Sequence, residues 1–167
     1  MPDPERPGAS GAARPDLHDP TAALHDSLSR LPHTGPARLP ERVLELEAGL
    51  RVTACRTLRP GDACLNEAGL LPGVLLVELM AQVGGLLVHD EGSGAAGGQT
   101  APDHGVIAGI KRMHLHGAAG AGETILVECS LRRRIGDLYM IDCRALAGDR
   151  DLAHGTIQIR AVKGSAP

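Results

Sequence analysis

The sequence predicts an α+β fold in which one antiparallel sheet wraps around a long central helix, and three observations carry that prediction. Two alternating runs, Arg42–Glu47 and Leu50–Thr57, flank Ala48–Gly49 and read as strand, tight turn and strand. The run Val74–His89 is apolar on nearly every side and reads as a buried helix. The C-terminal half then carries four β-rich runs, Gly105–His116, Glu123–Arg134, Leu138–Ala147 and Leu152–Val162, parted by Gly or Asp-Gly-like turns.

Taken in order, the first forty residues hold eight of the twelve prolines and few apolar residues. Met1–Pro20 is therefore expected to be a disordered tail, with residues 21–163 forming a single domain. Thr21–Leu31 has Leu24, Leu28 and Leu31 on one side and suits one or two amphipathic turns. The paired strands follow, then an irregular stretch from the Pro60–Gly61 turn to Pro72–Gly73. At about 1.5 Å per residue the helix is long enough to cross a small domain. Ser93–Gln99 reads as a flexible loop. In the last run Ile157, Ile159 and Ala161 alternate with Gln158 and Arg160, the mark of a half-buried antiparallel strand.

Composition excludes several classes of function. The chain of 167 residues has one Tyr and no Phe or Trp, so it lacks the rings that stack on single-stranded nucleic acid. A net charge of -3 argues against a phosphate-neutralising surface, so nucleic acid is not an expected partner. The N-terminal residues have no apolar core of the kind a secretory signal needs, and Val74–His89 is too short and too polar for membrane insertion. Cys55, Cys64, Cys129 and Cys143 show no metal-finger spacing and read as small apolar residues of a reduced cytoplasm. No metal or cofactor is expected.

The stretch Leu71–Gln82, LPGVLLVELMAQ, concentrates the chemistry. Pro72 and Gly73 open the helix, where free N–H groups and the dipole favour a carbonyl oxygen or an anion. Glu78 lies one turn further in, with Gln82 four residues later on the same face. An acid in an otherwise apolar helix is costly without partners, so its placement calls for a reason.

This stretch resembles the central-helix motif of the hotdog-fold 3-hydroxyacyl-acyl-carrier-protein dehydratases of the FabZ/FabA type. Leu31–Pro32–His33 followed by Glu41–Arg42–Val43 resembles that family's LPH…DRV opening. Ile107–Ala108–Gly109–Ile110 with Lys111–Arg112, and Ala121–Gly122–Glu123 with Leu126–Val127–Glu128, resemble the strands after the helix. The likeness runs from Ser27 to Val162 and is most specific at the helix.

The resemblance implies a hotdog fold and a set of roles. The backbone N–H of Gly73 would hold the thioester carbonyl, with Val74 and Gln82 beside the substrate. Glu78 would act at the departing hydroxyl, supported by Gln82. The family's base is a His in a G-H-F-P loop, and here the ungapped count back from Pro72–Gly73 puts Cys64 at that position. No His occurs between His33 and His89. The loop form Leu65–Asn66…Gly69…Leu71–Pro72–Gly73 is more similar to a divergent branch, the small dehydratase-like proteins encoded with aryl-polyene and related assembly enzymes. That branch lacks the same His and pairs with a complete dehydratase.

Each residue also has a plainer reading. Glu78 can be a buried acid bonded to backbone or to Gln82, and Gly73 only a helix-start residue. Cys64 can be a thiolate base, but its ordinary pKa of about 8.5 makes it weak without a cation nearby, and a packing role is the alternative. His33 reads as structural, tying the N-terminal segment down. His114 and His116 stand two apart in a strand, spaced for a metal or for a solvated, paired face. His89 suits a helix C-terminus, and Arg132–Arg134 suits either a carrier protein's acidic surface or an open strand face.

The expected function is a cytoplasmic dehydratase-like protein that binds acyl-carrier-protein thioesters in fatty-acid, polyene or polyketide assembly. It would work as a His-deficient, non-catalytic or half-catalytic subunit, in a homodimer or in a heterodimer with a His-bearing dehydratase. Two alternatives stand beside it. One is an active dehydratase using Glu78 with an unorthodox base, Cys64 or a His from Ala101–His116. The other is a thioester-binding or thioesterase-type hotdog module.

Overall fold

The computed structural model describes residues 26–90 and 104–162. The expectations for Met1–Pro20 and Ser93–Gln99, and for the His89 side chain, fall outside the described residues and side chains. The elements run β1 (Arg42–Glu47), β2 (Arg51–Thr57), α1 (Gly73–Asp90), β3 (His104–Leu115), β4 (Thr124–Ile135), β5 (Leu138–Ala147) and β6 (Arg150–Val162). The six strands form one sheet in the order β1-β2-β4-β5-β6-β3, antiparallel at every pairing. This is the α+β hotdog fold, with the sheet curved around the helix.

Local sequence explains the elements. The β1–β2 turn closes with the Leu50 N–H donating to Glu47 O at 2.9 Å. Gly49 supplies the left-handed φ of 67° that a side chain would resist there. Helix α1 is sunk into the concave face of the sheet and touches β2, β3, β4, β5 and β6. Its Leu76, Leu79, Met80, Val83, Leu86 and Leu87 are buried against sheet residues such as Val52, Ile125, Val127, Ile141 and Ile157. Burial of each such side chain contributes about 1.5–3 kcal/mol. The four cysteines are free and buried within this packing, and burial pushes the Cys129 thiol well above its ordinary pKa.

Two features set up the site. The segment before β1 lies along the helix in two 3-10 turns, Asp26–Arg30 and Gly35–Ala37, pinned by buried Leu28, Leu31 and Leu39. At the opposite edge of the sheet, among the described residues, β3 pairs with β6 alone, and Val106, Ile107, Ile110 and Leu115 are exposed. No helix among the described residues is long and apolar enough to cross a membrane.

Candidate functional site

The start of α1 is clamped from outside the helix. Leu71 N–H donates to Ala119 O at 2.9 Å and Leu70 bridges Gly120, so the β3–β4 connection holds the entry. Pro72 O accepts from the N–H groups of Leu75 and Leu76 at 2.9 and 3.0 Å and closes the first turn. Gly73 sits under Leu115, and a Cβ there would stand 2.9 Å from Leu115 Cδ1. A side chain at that position would displace the exposed tip of Leu115. Val74, next along, is 74% exposed.

One turn further on, the polar residues meet. Gln82 is buried, and its amide is fully engaged: Oε1 accepts from Leu39 N–H, and Nε2 donates to Ala37 O and to Glu78 Oε1, each at 2.9 Å. Gln82, the residue expected to support Glu78, donates to its carboxyl and also ties the N-terminal segment to the helix. That second task was expected of His33. Instead, His33 Nε2 lies 3.5 Å from Glu78 Oε1, with both side chains about one-third exposed (37% and 35%). Nδ1 of the same ring is buried with no hydrogen-bond partner.

Two cavities open around this group. The first lies between α1, the N-terminal segment and the β3–β6 edge, walled by Leu31, Pro32, Ala81, Gly85, Val106 and Ile159 among others. The second lies between the same segment, Leu75 and the loop before the helix, walled by Pro36, Leu39, Ala63 and Cys64. Among the described residues only His33 and Glu78 line both, so the pair stands where the two cavities meet.

Cys64 is thus brought to the site, buried in the wall of the second cavity. It has a cation after all: Arg56 Nη2 is 4.0 Å from its Sγ and 2.7 Å from Asp62 Oδ2. The Arg59 N–H and the Arg56 guanidinium hold the Asp62 carboxyl below its usual range. Arg56 Nε is a second buried nitrogen without a partner.

Gly73 and Val74 line neither cavity; Gly73 lies against Leu115 of β3 instead, and Val74 is exposed, so neither of these two cavities brings them together with Glu78. His114 and His116 are exposed, and His154 joins them, with His116 Nε2 3.0 Å from His154 Nδ1. This is the paired face of the two readings; among the described residues no group of three His, Cys, Asp or Glu side chains is arranged to hold a metal. Arg132 and Arg133 line an open groove with Lys111 and Arg112, apart from the Glu78 cavities. The residue missed as a site member is His33, whose signal lay in the LPH opening.

Residues 27–165 match the model of the ApeP-like family, described as ApeP dehydratase. The 3-hydroxyacyl-[acyl-carrier-protein] dehydratase FabZ of Paracidovorax citrulli is 31% identical over 130 residues, 75% of this chain and 87% of that protein. The FabZ of Clostridioides difficile is 26% identical over 145 residues, 83% of this chain and 96% of that one. Among solved structures, the dehydratase heterocomplex ApeI:P from Xenorhabdus doucetiae superposes with a TM-score of 0.69 at 21% identity, covering 80% of this chain and 90% of that chain.

Proposed function

The chain belongs to the ApeP-like dehydratase family, within the FabZ-like hotdog dehydratases, and from that premise we propose that it is a dehydratase subunit acting on 3-hydroxyacyl thioesters of an acyl carrier protein, in fatty-acid or polyene assembly. The observation that carries this reading is Glu78: a carboxyl fixed by Gln82 at the junction of two largely apolar cavities. Such a group suits a proton donor for a departing hydroxyl beside an acyl chain. Gly73, with its N–H at the helix start, suits a thioester carbonyl.

The subunit works in a dimer with a second hotdog chain. In support, Gly73 lies against Leu115 of β3, and Val74, Ile110 and Leu115 are exposed, apolar surface that a second chain would cover. The reading favours a FabZ-like, His-bearing partner, as the loop that carries the family's base has Cys64 in its place. Four unpaired cysteines favour a cytoplasmic setting.

Titration with 3-hydroxyhexanoyl-pantetheine amide, whose α-hydrogen is far less acidic than a thioester's and so resists elimination, tests the ligand class. Dehydration of the matching thioester, with the partner present, tests the role of Glu78. Glu78→Gln keeps the size and the Gln82 contact, so binding should survive while turnover falls about 10²–10⁴-fold. Equal turnover in the variant contradicts the role, and absence of binding contradicts the reading as a whole.

A further inference from the structure

We infer that Arg150 and Glu123 are positioning residues for the start of α1: through one peptide group they fix the direction of the Gly73 N–H. The inference rests on the reading of that N–H as the group that holds the thioester carbonyl. It gives Gly73 a support that lies outside the helix and outside both cavities.

Three observations carry it. First, the peptide group between Ala119 and Gly120 is bonded on both sides. Its N–H, on Gly120, donates to Glu123 Oε2 at 2.8 Å, and its carbonyl, on Ala119, accepts from the Leu71 N–H at 2.9 Å. A peptide group is planar, so the carboxylate that holds the N–H also sets where the carbonyl points. Negative charge on that acceptor polarises the group and strengthens its bond to Leu71. Second, Arg150 grips both ends of the arrangement: Nη2 donates to Glu123 Oε1, and Nη1 donates to Ala118 O at 3.2 Å. The Gly120 N–H and the Arg150 guanidinium hold the Glu123 carboxyl below its usual range. Third, the link from Leu71 to Gly73 is stiff. The Pro72 ring fixes its own φ and restricts Leu71 before it, and Pro72 O is committed to the N–H groups of Leu75 and Leu76. Gly73 opens the helix, where its N–H has no carbonyl partner within the helix. A direction set at Leu71 is therefore passed on to Gly73.

The plainer account is an ordinary surface ion pair. The Arg150 and Glu123 side chains are about half exposed (53% and 40%), and an exposed pair contributes little to stability. Arg144 and Asp151 form a pair of that kind, bonded side chain to side chain. Arg150 and Glu123 differ from it because each also bonds a backbone group of the connection that clamps the helix.

Backbone N–H resonances of the isotope-labelled full chain, with and without 3-hydroxyhexanoyl-pantetheine amide, separate the two accounts. Glu123→Gln keeps the size of the side chain but cannot accept at both ends, so its amide group meets either Arg150 or the Gly120 N–H as a second donor. The Leu71 and Gly73 resonances should move in the free variant, while Tm stays within a few degrees. Bound pantetheine amide should shift the Gly73 resonance downfield in wild type and by a smaller amount in the variant, with affinity about 3–10-fold weaker. Arg144→Gln should leave Leu71 and Gly73 in place. Arg150→Gln should repeat the effect in weaker form, and it carries the test if Glu123→Gln does not fold; loss of the fold in both variants would make the pair structural and overturn the role. If Leu71 and Gly73 in the folded variants match wild type, the positioning role is overturned and the thioester reading stands. If they move but wild-type Gly73 gives no response to bound pantetheine amide, the inference falls together with the role of Gly73, and the ligand class stands. Failure of the wild-type chain to bind the pantetheine amide overturns both.

Discussion

Gln82 has a double task, and its cost of removal follows from its partners. It is buried, and it satisfies the Leu39 N–H, a buried donor, and the Ala37 carbonyl, an exposed acceptor. Water can replace it at Ala37 but not at Leu39, so Gln82→Ala should cost about 1–3 kcal/mol. Thermal unfolding should show a Tm lower by several degrees; an unchanged Tm would mean that Leu28, Leu31 and Leu39 hold the segment without it. Glu78 and Gln82 were legible as site residues because one helix face carries both. His33 was not. Its LPH setting was visible, but its distance from Glu78 depends on how the segment before β1 folds back along α1. Two 3-10 turns and a side-chain amide decide that, and neither leaves a periodic signal.

At the level of elements, the legible parts are those with a strict period. The bounds of β1 and β5 agree with the alternating runs, and α1 extends the apolar run by one residue at each end, Gly73 and Asp90. Strand β3 is different. Its register with β6 shifts twice, and Arg112 adopts a left-handed φ of 51° within the second shift. Gly155 lies beneath, where a Cβ would come within 2.8 Å of Met113 Cα. Exposed residues on both faces of β3 blur the alternation that would have revealed the bulge. The same exposure makes an expectation about assembly. An edge strand presenting Val106, Ile107, Ile110 and Leu115 needs a cover, and Ile110→Glu should weaken it by placing a charge against apolar surface. Sedimentation at micromolar concentration should find the wild-type chain as a dimer and the variant shifted towards monomer. A wild-type chain that stays monomeric contradicts the expectation.

For the whole molecule, the order of strands determines which chemistry is possible where. The sheet order leaves β1 and β3 as its edges, and the segment before β1 is left to close one side of the helix. One Glu78 cavity therefore lies between that segment, the helix and the β3–β6 edge, and the other between the segment, the helix and the loop before it. The His114–His116–His154 cluster and the Lys111–Arg133 groove line neither. If the acyl thioester occupies the site around Glu78, its effect on backbone exchange must have the same shape. Hydrogen exchange of the full chain with and without 3-hydroxyhexanoyl-pantetheine amide is the most direct test. Exchange should slow in Leu31–Leu39 and in residues 104–107, with the His154 region unchanged. Protection confined to the Lys111–Arg133 groove, or absent from Leu31–Leu39, would contradict it.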